Sequence, residues 1–243
     1  MRNRLAVLAC LIWPLGSALA ADPGYYLVSV YENEGEASID YRYWTVKFPG
    51  RPVQTWPEIG FGYGVSKRWY TELYASFIGG TGVATKLSTL NWQNDYLLTQ
   101  GQYPFDLAVH TNLIWNRDRA DGVEIEIGPA LQTDVGRTQL NANAFLERRF
   151  DGAVPGPTKM KYQWQAKYRW KPWLHVGLQG FGELGPWDHW SPHARQSHRA
   201  GPVLSGSWDV GARQQIKYQA AWLNGKIYGR PGSMFSMRLQ YAF

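Results

Sequence analysis

The stretch Met234-Phe-Ser-Met-Arg-Leu-Gln-Tyr-Ala-Phe243 decides the fold. Successive side chains of an extended chain point to opposite faces. Phe235, Met237, Leu239, Tyr241 and Phe243 therefore share one face, and Ser236, Arg238, Gln240 and Ala242 share the other. One side is apolar and largely aromatic; the other is polar. An uninterrupted apolar strand face needs a cover, which can be a second sheet, a helix layer or lipid.

The same alternation recurs upstream in about twelve segments of strand length. In 37–48, Ala37, Ile39, Tyr41 and Tyr43 oppose Ser38, Asp40 and Arg42. In 58–66, Ile59, Phe61, Tyr63 and Val65 oppose a glycine row, Gly60, Gly62 and Gly64, which reads as close packing or curvature rather than phosphate binding. Segments 69–77 and 87–98 follow, the second leaving Asn94 out of phase. Further along, Val123, Ile125 and Ile127 oppose Glu124 and Glu126, and Tyr162, Trp164 and Tyr168 oppose Lys161, Gln163 and Lys167.

The connections sort by parity. With both termini on one side, the even-numbered connections (66–68, 99–103, 134–138, 171–172 and 210–213) are short. The odd-numbered ones (49–55, 79–86, 116–122, 151–158, 185–198 and 224–232) are longer and rich in Gly, Pro or charge. Short turns on one side and longer loops on the other are expected of a transmembrane barrel.

Composition narrows the class. Mean hydropathy is −0.39, and after the N-terminus no apolar run is long enough for a membrane helix. Lipid offers no hydrogen bonds, so a membrane reading requires a closed sheet without edges. Aromatic residues make up 15%, with 13 Trp and 15 Tyr, which suits interfacial girdles. The net charge is +6, and losing Arg2 and Arg4 leaves about +4, too mild and too dispersed to argue for nucleic acid.

The N-terminus has a basic start (Met1-Arg-Asn-Arg4), an apolar run from Leu5 to Leu15, and small residues in Ser17-Ala-Leu-Ala20. It reads as a secretory signal over 1–20 rather than a membrane span. Val7-Leu-Ala-Cys10 resembles a lipoprotein cleavage box but follows too short an apolar stretch. Cys10 is the one cysteine, so the mature chain carries no disulfide and no thiol chemistry. Residues 21–35 precede the alternating region and are expected to form a periplasmic lead, a plug or an extra strand, with the barrel occupying 36–243.

The terminal segment resembles the C-terminal signature by which bacterial outer-membrane β-barrels are recognised for assembly, carried here by Leu239, Tyr241 and Phe243. The resemblance extends over the mature chain and implies an all-β, antiparallel, up-and-down transmembrane barrel of about twelve strands in the bacterial outer membrane. The implied partners are outer-membrane lipid and lipopolysaccharide, together with the barrel assembly machinery. More loosely, the chain resembles small barrels grouped with channels for aromatic-compound uptake.

This register places charged side chains inside. The lumen candidates are Asp40, Arg42, Glu72, Asp106, His110, Asn112, Glu124, Glu126, Glu147, Lys167, Arg169, Glu183, Arg199 and Arg238. Acidic residues dominate the first half and basic ones the second, so closure is expected to bring acidic and basic walls face to face. They can form a salt-bridged filling or line a permeation path. Arg238 is expected to face early acidic residues, Asp40 among them.

His110 with Asp106, Asn112 and Glu126 forms the densest polar cluster, read as a hydrogen-bonded patch in preference to an acid–base pair. Outer-membrane lipid hydrolases share a His-x-Ser-Asn type segment; His110-Thr111-Asn112 lacks the serine. The loop 185–198 carries His189, His193 and His198, but their spacing matches no zinc motif. No nucleotide, cofactor or nucleic-acid motif is present. The sequence points to a channel or binding barrel for small solutes, with a lipid-modifying enzyme and an accessory barrel of a secretion or polysaccharide system as alternatives. It leaves the oligomeric state open.

Overall fold

The computed structural model describes residues 26–30, 34–153 and 156–243. The signal reading of 1–20 lies outside the described residues. Twelve strands follow in chain order: β1 (Ala37–Lys47), β2 (Gln54–Gly64), β3 (Trp69–Gly80), β4 (Val83–Leu97), β5 (Phe105–Asn116), β6 (Val123–Val135), β7 (Thr138–Phe150), β8 (Lys159–Lys171), β9 (Leu174–Pro186), β10 (Ser197–Gly211), β11 (Gln214–Ile227) and β12 (Arg230–Ala242). Each pairs antiparallel with its neighbours in sequence, and β1 pairs with β12 to close an up-and-down barrel. Closure runs over ten registered pairs from Ser38↔Ala242 to Lys47↔Ser233, so the stretch that opened the reading is the closing strand. No strand edge is left for lipid to solvate.

The period-two pattern is realised along the wall. Ile59, Phe61, Leu73, Leu90, Ile127 and Leu178 are exposed on the outer face. A continuous apolar exterior of this kind is the surface a membrane barrel turns to lipid. Asp40, Glu72, Asn91, Gln93, His110, Glu126, Asn143 and Gln165 are buried on the inner face. Asn94, out of phase in sequence, faces outward and accepts a hydrogen bond from the Trp69 indole N–H at 3.0 Å.

Two connections differ from the sequence reading. The sequence places loops at 79–86 and 224–232. Instead β3 and β4 run on as a hairpin to Gly80 and Val83, and β11 and β12 to Ile227 and Arg230. Tyr228 and Gly229 form the second turn with φ of 50° and 72°, the left-handed pair whose twist matches a two-residue hairpin. Strand pairing satisfies the backbone there better than a loop, so composition rich in Gly, Pro and charge did not end the strands. The other four connections at this end are longer; Arg119–Asp121 forms a short 3-10 turn within one of them.

The glycine row on β2 has a packing reason. A methyl group at Gly60 would meet the Glu72 carboxylate, and one at Gly62 the Tyr70 hydroxyl. The bare backbone of β2 lets side chains of β3 lie across it and reach β1.

The interior is not uniformly polar. At the end away from the termini, Trp44, Val46, Trp56, Val203, Leu223, Ile227 and Met234 pack into a buried apolar cluster with Phe181 and Ala221. Trp44 and Trp56 are direct cross-strand partners and stack at 4.1 Å. The sequence reading assigns inward residues of this strand only as far as Arg42; beyond it the inward positions of β1 switch from Asp40 and Arg42 to Trp44 and Val46.

Candidate functional site

The lumen holds a charged and amide network, a short chain segment and a cavity. The first cluster is built by β1, β2, β3 and β12. Arg42 donates to Asp40 at 3.0 Å and to Glu72 at 2.6 Å, and Glu58 lies 3.9 Å from its guanidinium. Arg238 donates from Nε to the same Asp40 carboxylate at 2.7 Å, across the closing seam. Two guanidinium groups and three carboxylates are thus withdrawn from water together, which only mutual pairing makes tolerable.

The second cluster centres on His110. Asp95 lies 2.6 Å from Nδ1 and Glu126 lies 3.3 Å from Nε2. Lys161 joins Glu126 to Glu147, with 2.6 Å to the latter. The expected partner Asp106 is elsewhere, accepting from the Thr99 hydroxyl at 3.2 Å near the end that carries the termini. Four residues along a strand span about 13 Å. The β4–β5 register, by contrast, places Asp95 directly opposite His110. Asn112 donates to the Tyr74 hydroxyl at 2.8 Å rather than to His110.

The remaining candidates pair along the wall. Arg149 binds Glu124 at 2.8 Å, Arg199 binds Glu183 at 2.7 Å, and Arg169 binds Asp134 at 2.9 Å. Acidic residues of the first half thus meet basic ones of the second at the closing seam, where Arg238 holds Asp40, and along the wall, where Lys161 holds Glu126 and Glu147. These paired charges find their partners on their own or a nearby strand, because side-chain reach favours the wall over the diameter. Lys167 forms no ion pair among the described residues and borders the cavity instead.

Residues Tyr26–Val30 lie inside this network, outside the sheet. The Tyr26 hydroxyl donates to Gln93 Oε1 at 2.9 Å, and its ring sits 3.8 Å from the Arg42 guanidinium carbon. The Val28 N–H donates to Gln163 at 3.1 Å, and the Val28 carbonyl accepts from Asn143 at 3.0 Å. Tyr26, Val28 and Val30 pack on Ala108, Ala130 and Phe145. Gln93 in turn donates to Asp95 at 2.7 Å, so the segment is tied to the His110 cluster. Sequence reasoning missed Tyr26, Gln93, Asn143 and Gln163. The alternation marks the last three as inward, whereas nothing in 21–35 marks Tyr26.

A cavity of about 260 Å³ lies beside this segment, bordered by Leu27 and Ser29 and by residues from β6 to β12. It is of the order of a small-solute site. At the opposite end, His189 lies 2.7 Å from Asp188 on an exposed loop. His198 faces the Tyr162 hydroxyl at 2.8 Å and Gln196 at 2.8 Å, with the His193 ring stacked 5.5 Å away. The described residues contain no cluster with the makings of a metal site.

No family model and no curated protein matches the sequence. Solved structures do. An outer membrane channel from Pseudomonas putida F1 aligns with a TM-score of 0.61 at 12% identity, over 92% of this chain and 99% of that one. The NanC porin aligns at 0.59 and 10% identity, over 84% and 98%. The KdgM porin aligns at 0.58 and 9% identity, over 85% and 99%. The chain has the fold of outer-membrane channel barrels.

Proposed function

We propose that this protein is a bacterial outer-membrane channel for small polar solutes, narrowed in the described conformation by Tyr26–Val30. The observation that carries the reading is the cavity, which is flanked by Leu27 and Ser29 of a lumen segment outside the barrel wall. That segment is held by a handful of hydrogen bonds and apolar contacts, not by strand pairing. A filling of this kind can shift without opening the sheet. With the barrel end that carries Ala37 and Phe243 taken as periplasmic, the cavity faces the periplasm and the Trp44–Trp56 cluster lies toward the cell exterior. The fold shared with channel structures supports the same reading. His110 faces carboxylates from both ring nitrogens, an arrangement that favours a structural and binding role over lipid hydrolysis.

The test is single-channel conductance of the purified full-length protein in planar bilayers, beside a Tyr26→Ala variant. The variant lacks the ring under Arg42 and the hydroxyl on Gln93. It should pass larger or longer openings than wild type. Electrical silence of both proteins, with correct folding shown by heat-modifiable migration, would refute the channel reading.

A further inference from the structure

The charged side chains of the lumen divide into two groups. Arg42, Arg149, Lys161, Arg199 and Arg238 each hold a carboxylate. Lys167, Lys217 and His175 form no ion pair among the described residues, and all three line the cavity, where Arg238, held by Asp40, is the other cation. No aspartate or glutamate is among the residues bordering it. The rest of the lining is rich in amides. In register, Gln139 lies opposite Lys167 on β7–β8, and Gln240 lies opposite Lys217 on β11–β12. These groups form an arc of inward positions on consecutive strands.

Lys167 and Lys217 border the same concave wall, where a charge of one sign attracts a solute of the other. An anion entering the cavity meets both without displacing a bound carboxylate. The amides provide N–H donors and carbonyl acceptors for the uncharged part of the same solute. Leu27 and the Tyr218 ring are the apolar side chains on the lining, and they can take the carbon skeleton of such a solute.

We propose that this cavity is a binding site for a small polar carboxylate, with Lys167 and Lys217 holding the charge and the glutamine wall holding its hydroxyl or amide groups. The proposal deepens the channel reading and rests on it for the solute's route, though not for binding itself.

Isothermal titration of the detergent-solubilised full-length protein tests it, with gluconate as the anionic probe and sorbitol as its neutral counterpart of equal chain length. The comparison variant is the double substitution K167Q/K217Q, which breaks no ion pair among the described residues. Its barrel is checked by heat-modifiable migration. Gluconate should bind saturably, about tenfold or more tightly than sorbitol, and weaken as salt rises. The double variant should lose about tenfold in gluconate affinity and leave sorbitol unchanged. Equal affinity for the two probes, absence of saturable gluconate binding, or an unchanged double variant would overturn the proposal. A protein that binds gluconate yet stays silent in bilayers refutes the channel and leaves this site standing. One that conducts without binding gluconate does the reverse.

Discussion

Replacing Arg42 by methionine is the sharpest test of the lumen's construction. The side chain is 2% exposed and bridges Asp40 at 3.0 Å and Glu72 at 2.6 Å, with Glu58 at 3.9 Å. Methionine keeps much of the volume and removes the charge. Asp40 retains Arg238, but Glu58 and Glu72 are left buried without their shared cation. Stranding a buried charge costs about 3–5 kcal/mol. Losing the guanidinium over the Tyr26 ring adds about 0.5–2 kcal/mol. These contributions overlap, so the expected destabilisation is about 4 kcal/mol, close to a thousandfold in the unfolding equilibrium. Reversible urea unfolding in lipid vesicles, followed by tryptophan fluorescence, measures it. Adding Glu72→Gln to the variant removes one stranded anion and should restore about 1 kcal/mol or more. Arg42→Lys keeps the charge but not the planar fork, and should fall between wild type and methionine. An Arg42→Met barrel that unfolds within about 0.5 kcal/mol of wild type would refute this account of the cluster. So would a double variant weaker than the single one.

The other expectations concern different parts of the wall. Lys161→Met leaves Glu126 and Glu147 facing each other on paired strands and should cost about 3–5 kcal/mol in the same assay; a change below about 1 kcal/mol would mean that water or His110 already compensates them. Leu239→Arg puts a cation on the exposed outer face of the closing strand and should cost about 2–4 kcal/mol if the residue lies near the bilayer midplane. Assembly yield and unfolding should both drop, whereas unchanged values would deny lipid contact at this face. Gly60→Val drives a side chain into the Glu72 carboxylate and should destabilise by about 1–3 kcal/mol through overpacking. An equally stable valine variant would show that β2 has room the glycine row does not need to provide.

Alternation alone placed Ser236, Arg238 and Gln240 inside and Leu239 and Tyr241 outside, and the same phase held on neighbouring strands. It carried the all-β class, the strand number and the sorting of side chains between lipid and lumen. The physical reason is local: a period of two is a property of the extended backbone, and only burial preference has to be added. Partnership was not legible in this way. Asp95 meets His110 because β4 and β5 pair in one register, and Glu72 reaches Arg42 because Gly60 and Gly62 leave β2 bare between them. Neither fact follows from spacing along the chain. The switch from charged to apolar inward residues at Trp44 was present in the sequence, but its meaning depended on Trp56 lying directly across from it.

The sequence by itself determined that this chain is a closed antiparallel barrel with an apolar exterior, because hydrophobic periodicity and the need to pair every backbone group leave few other solutions. Only the tertiary structure decided what fills the lumen. Registers bring Arg42, His110 and Lys161 to their carboxylates, Tyr26–Val30 lies among them, and Lys167, Lys217 and His175 border a cavity with no ion pair among the described residues. Those outcomes depend on distances across strands that are far apart in the chain, which no local pattern encodes.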